Sequence, residues 1–255
     1  MYAEERQQAI ARLVNQRGRM SVNQLAREYD VTTETVRRDL SSLERMGLVR
    51  RVHGGVVPPS SISLIESGIR ERDQVNTETK ERIARVALEQ LPSEGGTVLL
   101  DAGSTTVRLA MLFPRDLKLT VITHAVPIAA RLAGLRHIDL HLLPGRVRRT
   151  TQAAVGAETV EALSHLRVDV SFVGTNGITP GHGLTTPDPD EAAVKRGLVE
   201  SGRRVVVLAD GSKFGIETAV RFASAAEVDV LVTDAEASAA ERRVLAKAGV
   251  EVVVA

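Results

Sequence analysis

From residue 97 to residue 254 the chain repeats one alternation. A short run of β-branched and aliphatic residues is followed by a longer stretch with apolar residues every three or four positions. The strand-like runs are Thr97–Leu100, Leu117–Thr123, Ile138–Leu143, Val168–Val173, Arg204–Ala209, Val228–Thr233 and Val250–Val254. Helical patterns cover Thr106–Leu112, Pro127–Leu135, Gly156–Leu166, Asp190–Ser201 and Ser238–Ala248. Strands this uniformly apolar are buried on both faces, which requires helices on both sides of a mostly parallel sheet. A further helical pattern (Ile83, Val86, Ala87, Leu91) runs from about Asn76 to Pro92. Residues 76–255 are therefore expected to form one α/β domain with its own core. With no tryptophan and 2% aromatic residues, that core is built from Val, Leu, Ile and Ala.

Residues 1–57 follow a different pattern. Ile10, Leu13 and Val14 predict a helix over about residues 3–16, stopped by Gly18. Ser21 caps a short helix carrying Val22, Leu25 and Ala26, and Tyr29-Asp30-Val31 turns into a third helix reaching Arg45. On that third helix Val36, Leu40 and Leu43 fall within about one hundred degrees of arc, while Arg37 and Arg38 point outward. Thr32 precedes its first turn as a cap, with Thr33 and Thr35 close behind. Helix, short helix, turn, helix is a helix-turn-helix, and outward arginines suit guanine edges or phosphates. Beyond Gly47, Leu48–Val52 and Val56-Val57 flank His53-Gly54-Gly55, a small hairpin or wing. Arg50 and Arg51 on the wing could reach flanking phosphates, and His53 reads as a turn residue. Pro58-Pro59-Ser60-Ser61 opens a linker spanning 58–75.

Charge supports this division. The whole chain carries a net +1, but residues 1–57 hold ten arginines, no lysine and seven acids, and the remainder is net −2. A basic head on a mildly acidic body is the asymmetry expected when only the head meets DNA. The absence of cysteine excludes disulfides and thiolate metal sites. No apolar run approaches the roughly 18 residues of a membrane span, so a cytoplasmic protein is expected.

Ligands of open parallel sheets bind at the carboxyl ends of strands. There the chain reads Asp101-Ala102-Gly103-Ser104-Thr105-Thr106, Gly174-Thr175-Asn176-Gly177, Gly183-Leu184-Thr185-Thr186-Pro187-Asp188 and Asp210-Gly211-Ser212-Lys213. Glycine, hydroxyls and a helix start suit a phosphate, with Asp101 free to hold a sugar hydroxyl. Glu191 and Lys195, four residues apart, are either a surface ion pair or two arms of the same site. Pro144-Gly145-Arg146-Val147-Arg148-Arg149 adds a glycine turn with arginines. No Walker pattern occurs, and none of the six histidines sits in a hydrolase or zinc-peptidase motif.

Thr32-Thr33-Glu34-Thr35-Val36-Arg37-Arg38-Asp39-Leu40, followed by Arg51-Val52-His53-Gly54-Gly55, resembles the DeoR-type sugar-metabolism repressors. The Asp101–Thr106, Gly174–Ile178, Gly183–Lys195 and Asp210–Gly215 stretches resemble their effector domain, so the likeness spans nearly the whole chain. The resemblance implies a winged helix-turn-helix head on an α/β effector domain related in fold to ribose-5-phosphate isomerase. It further implies operator repression relieved by a phosphorylated sugar. A homo-oligomer, dimer or tetramer, with no membrane, metal or cofactor, is expected. Met1–Arg6 and Thr123–Ala129 look most like the actinobacterial branch governing fructose and phosphotransferase sugars, which points to fructose 1-phosphate or a related hexose phosphate. On this reading DNA is met by Ser21, Thr32, Thr33, Thr35, Arg37, Arg38, Ser41, Arg50, Arg51 and His53. The effector is met by Asp101, Gly103, Ser104, Thr105, Thr106, Thr123, Gly145, Arg148, Thr175, Asn176, Gly177, Thr185, Thr186, Asp188, Glu191, Lys195, Asp210 and Lys213. The isomerase's acidic signature is replaced by Gly174-Thr175-Asn176-Gly177, so binding without turnover is expected; the alternative is an isomerase with an appended head. Three positions depart from the family: His124 where Asn is common, Pro144 where Gly is common and Gly211 where Ser is common. Each is expected to remove a polar contact or backbone freedom.

Overall fold

The computed structural model describes residues 2–17, 20–52, 55–58, 68–237 and 239–255. Gly18, His53, Gly54 and most of the Pro58–Ser61 linker lie outside them, as does Ser238. The chain divides into two compact units, Met1–Ile62 and Ser63–Ala255.

In the smaller unit α1 (Ala3–Arg17) leads to β1 (Met20–Ser21), α2 (Val22–Glu28), α3 (Thr33–Arg45), β2 (Arg50–Val52) and β3 (Gly55–Val57). Ser21 and Gln24 close a reciprocal capping box on α2, and the Thr32 hydroxyl accepts the Thr35 N–H at the start of α3. Gly47 adopts φ +69° just past α3, a left-handed backbone that costs glycine little. The apolar faces of the three helices (Ile10, Val14, Leu25, Val36, Leu40, Leu43) close one core, and the strands pair in the order β1-β3-β2 as the wing.

Asp39 shares the buried face of α3. Arg6 Nε lies 2.5 Å from its Oδ2, and Gln7 Nε2 donates to its Oδ1 at 3.0 Å, tying α1 to α3. Asp39→Ala leaves a nearly buried guanidinium unpaired and is expected to destabilise the head by about 2–3 kcal/mol. Both tyrosines of the chain, Tyr2 and Tyr29, lie in this unit and tryptophan is absent, so tyrosine fluorescence in a urea titration follows the head alone.

The larger unit opens with α4 (Ile69–Gln74) and α5 (Thr77–Ala87). Here the structure departs from the expected linker. Residues 69–74 are helical, Ile69 is buried and its N–H donates to Thr150 O at 2.8 Å, so this segment packs as part of the domain. The alternation then proceeds through β4 (Thr97–Leu100), α6 (Ser104–Met111), β5 (Leu119–Thr123), α7 (Val126–Leu132), β6 (Ile138–Leu142), β7 (Arg146–Arg148), β8 (Ala153–Val155) and α8 (Ala157–Ser164). It continues with β9 (Val168–Gly174), β10 (Gly177–Thr179), β11 (Gly183–Thr186), α9 (Pro189–Ser201), β12 (Gly202–Leu208), β13 (Val220–Ala223), β14 (Val230–Thr233), α10 (Ala239–Lys247) and β15 (Glu251–Val254).

Seven of these strands form one parallel sheet in the order β15-β14-β12-β9-β4-β5-β6. Ile83, Leu109 and Ile128 from α5, α6 and α7 share a core with Val98, Val121 and Phe172. Leu163, Leu198 and Leu245 from α8, α9 and α10 share a second with Leu99, Val173 and Val207. Strands that face apolar layers on both sides explain the uninterrupted hydrophobic runs. From β4 the chain winds outward to β5 and β6, then crosses over to begin β9 on the other side of β4. The β4/β9 junction is thus the topological switch point, where open α/β sheets leave a crevice. Two short antiparallel pieces lie outside the helical alternation, the β7–β8 hairpin and the sheet β10-β11-β13.

Candidate effector site and nucleic-acid interface

Asp101 stands at the carboxyl end of β4 and is completely buried. Its Oδ2 pairs with Lys195 Nζ and accepts the Gly174 N–H at 2.8 Å, while Oδ1 accepts the Ala102 N–H at 2.8 Å and lies 3.1 Å from His124 Nε2. Burial alone would push this carboxyl up. The Lys195 ammonium and His124 outweigh it and hold Asp101 well below the usual carboxylate range. The expectation of a carboxylate free for a sugar hydroxyl is therefore not met, because four protein groups already surround it.

Lys195 also donates to Gly174 O at 2.9 Å, and its ammonium lies 5.5 Å from the centre of the Phe222 ring. It bridges β4 and β9 across the switch point. Neither Lys195 nor Glu191 is a surface residue. Glu191 pairs instead with Arg148, whose Nη1 lies 3.2 Å from Glu191 Oε1 and whose Nε lies 3.1 Å from Asp188 Oδ2. Asp188 in turn caps α9 by accepting the Glu191 N–H.

His124 does not remove a polar contact. It is buried, its Nδ1 donates to Ala154 O at 2.9 Å, and its Nε2 lies 3.1 Å from Asp101 Oδ1. The ring thereby links Asp101 to the residues of β8.

Most of the expected threonines serve the backbone. Thr106 donates to Asp101 O and Gly103 O, Thr123 to Leu100 O, and Thr175 to Gly177 O and Thr185 O. Thr185 accepts the Thr218 N–H, and Thr186 donates to Asn176 Oδ1. Gly145 (φ +137°) has no room for a side chain, since a Cβ would sit 2.2 Å from Thr159 Oγ1. A Cβ at Gly177 would sit 2.3 Å from Ile216 O. Ser104 and Thr105 differ. They occupy the first turn of α6, and among the described residues neither hydroxyl has a hydrogen-bond partner. Beside them Gly103 leaves its Cβ position open except toward Thr106 Oγ1 at 3.2 Å.

A second charged cluster lies at the end of β12. Asp210 accepts from the Ser212 N–H and hydroxyl and from Asn76 Nδ2 at 3.3 Å. Lys213 and Lys80 both act on it electrostatically and hold it below its ordinary pKa despite burial. Lys80 projects from the buried face of α5 and caps α4 by donating to Arg72 O and to Val75 O at 2.7 Å. Burial, only partly offset by Asp210 and reinforced by Lys213, Arg108 and Arg72, lowers Lys80 to about 8. Arg108 holds Asp73 and reaches to 3.5 Å from Ser104 O, which connects this cluster to the first turn of α6. Lys80, Lys213 and Arg108, close to a helix start whose hydroxyls have no partner among the described residues, form a setting that favours an added anion.

Lys80, Arg72, Arg108, Asn76 and His124 lie outside the sequence-derived set. One signal was present: Lys80 occupies the same stripe as Ile83, Ala84 and Ala87, where a charge has no place unless it is used.

On the head, Arg37 and Arg38 are exposed on α3, with Glu34 carboxylate oxygens only loosely near at 3.8 and 3.7 Å. Arg51 Nη1 donates to the Ser41 hydroxyl at 2.9 Å, linking wing to helix, and Thr32 and Thr35 share a hydroxyl contact at 2.9 Å. Arg50 and Thr33 are half-buried, and Ser21 is committed to its cap. His53 lies outside the described residues.

A winged helix-turn-helix with exposed arginines, carried on an α/β domain with a polar switch point, defines a DNA-binding regulator with a sensing domain. The sequence profile of the DeoR-like helix-turn-helix domain matches residues 6–61, and that of the DeoR C terminal sensor domain matches residues 75–235. The chain belongs to the DeoR family of transcriptional regulators. It is 37% identical over 253 residues to the HTH-type transcriptional regulator GlpR of Haloferax volcanii, covering 99% of this chain and 98% of that one. It is 33% identical over 235 residues to the glycerol-3-phosphate regulon repressor of Escherichia coli, covering 92% of each. Among solved structures, ribose 5-phosphate isomerase from Plasmodium falciparum aligns with a TM-score of 0.39 and 18% identity over 54% of this chain and 52% of that one. Among the described residues no group of three or more acidic or histidine side chains is placed to hold a metal, and no helix is long and apolar enough to cross a membrane.

Proposed function

We propose that this protein represses a sugar-utilisation operon and leaves its operator when a phosphorylated sugar enters the α/β domain. The observation that carries this reading is the cluster of the cations Lys80, Lys213 and Arg108, the last of them on the same helix as the open hydroxyls of Ser104 and Thr105. Burial lowers both lysines, and neighbouring cations lower them further; a phosphate would supply the counter-charge that favours their protonated forms. The preferred effector is a hexose phosphate, with fructose 1-phosphate first, and the chain acts as a homo-oligomer reading paired half-sites. Linkage requires that operator and effector weaken each other's binding equally.

Turnover is not part of this reading. A carboxylate held ionised as firmly as Asp101 is a poor proton acceptor, which disfavours an isomerase. The test is thermal unfolding with fructose 1-phosphate, fructose 6-phosphate, glycerol 3-phosphate and the unphosphorylated sugars, followed by operator gel shifts with each. A ligand at about 100 times its dissociation constant adds roughly 2.7 kcal/mol of stability. Stabilisation by free sugars alone, or sustained conversion of any phosphate, would displace the proposal.

The reading also has a pH signature. An anion stabilises protonated Lys80, so binding takes up a proton and affinity falls as pH rises past about 8. Lys80→Met is expected to weaken binding and to flatten that dependence, as measured by titration calorimetry between pH 7 and 9. Without ligand the sign is opposite. The folded state releases the Lys80 proton first, so this group's contribution to stability increases as pH climbs from about 8 toward the unfolded value.

A further inference from the structure

β6 is one edge of the seven-stranded sheet, and its sequence Ile138-Asp139-Leu140-His141-Leu142 is complementary to its own reversal. The bonds from Leu119 N to His137 O and from Leu143 N to Thr123 O set the phase of its pairing with β5. The odd-numbered residues turn their backbone groups toward β5. Leu140 and Leu142 turn theirs outward, where among the described residues nothing pairs with them. Asp139 and His141 are 75% and 60% exposed on one face of the strand, and Leu142 is 54% exposed on the other.

Edge strands commonly carry charges to block association, yet such charges need no particular order. Here Asp139 and His141, 3.4 Å apart within their own strand, stand symmetrically about Leu140. An antiparallel two-fold pairing centred on Leu140 makes the two copies of Leu140 exchange bonds and sets the Leu142 N–H of each copy on Ile138 O of the other, the Ile138 N–H being already donated to Leu135 O at 3.1 Å. Asp139 of each copy then faces His141 of the other in the closely spaced, non-hydrogen-bonded positions. Every apolar residue meets an apolar one and every carboxylate meets an imidazole. The opposite edge, β15, lacks this property, because reversal places Glu251 opposite Val254.

We infer that β6 joins a second copy of this chain through this isologous pairing, extending the parallel sheet across the two-fold axis. The inference goes beyond the homo-oligomer proposed above by assigning its interface. Sedimentation velocity on the full-length protein tests it. His141→Glu sets a carboxylate against Asp139 at both symmetric positions and is expected to raise the dissociation constant about tenfold or more. The double variant D139K/H141E restores an opposite-charge pair and returns assembly to the wild-type range. Because the chain has no cysteine, L140C supplies a single thiol on the axis, and oxidation is expected to give a covalent dimer. If H141E assembles like wild type and L140C stays unlinked while the wild type is oligomeric, the interface assignment is overturned and the homo-oligomer stands. A wild type that remains monomeric at tens of micromolar overturns both.

Discussion

Lys195→Met is expected to lower the stability of the larger unit by about 3–5 kcal/mol, much of what a domain of this kind possesses. The reason is Asp101. Its carboxylate is completely buried between β4 and β9, and the Lys195 ammonium is the strongest of the groups that keep it ionised. Without that ammonium the residue either remains a poorly compensated charge or takes up a proton and loses the donors arranged around it. Two further results follow if this account holds. The deficit shrinks as pH is lowered, because the neutral acid is less costly to bury. The double variant K195M/D101N is destabilised by less than the sum of its parts, since neither partner is left charged and alone. Denaturant titrations at several pH values measure all three. A deficit that is small and independent of pH would show that the pair is peripheral to stability.

Replacing Arg37 or Arg38 with alanine is expected to reduce operator affinity roughly tenfold or more, on the order of 1–3 kcal/mol where the guanidinium reads a guanine. Both side chains are exposed, and neither is held by a close ion pair that binding would have to break. A base-reading arginine and a phosphate-reading one are separable by experiment. Loss confined to the correct site marks base readout; equal loss on all sequences, with a shallower salt dependence, marks a phosphate contact. Arg51, already bonded to Ser41 on the wing, is expected to behave in the second way. Fluorescence anisotropy on operator and scrambled duplexes at fixed and varied salt makes the distinction. Unchanged affinity in both α3 variants would remove that helix as the reader.

Much of the architecture was legible in the sequence because its signals are local and periodic. The seven sheet strands follow from runs of Val, Leu and Ile, and their helices from three-to-four-residue spacing. Ser21 and Thr32 mark helix starts by a chemistry confined to four residues. The short strands β10 and β11 were not legible. Their Gly- and Thr-rich sequences carry little apolar pattern; β10 is held by β11, β11 by β13, and both by threonine hydroxyls bonded to backbone. The α4 segment, whose sequence reads as linker, is likewise anchored by a distant bond to Thr150 and by Arg108.

Periodicity by itself determined which face of each element is buried and which residue types stand at the strand ends. It did not determine which of those ends meet. Lys195 has an acid four residues away in Glu191, yet it pairs with Asp101, 94 positions earlier, while Glu191 turns to Arg148. That choice belongs to the tertiary structure. Only the crossover that lays β9 beside β4 brings these groups together, and a buried charge takes the partner that the packed sheet places within reach.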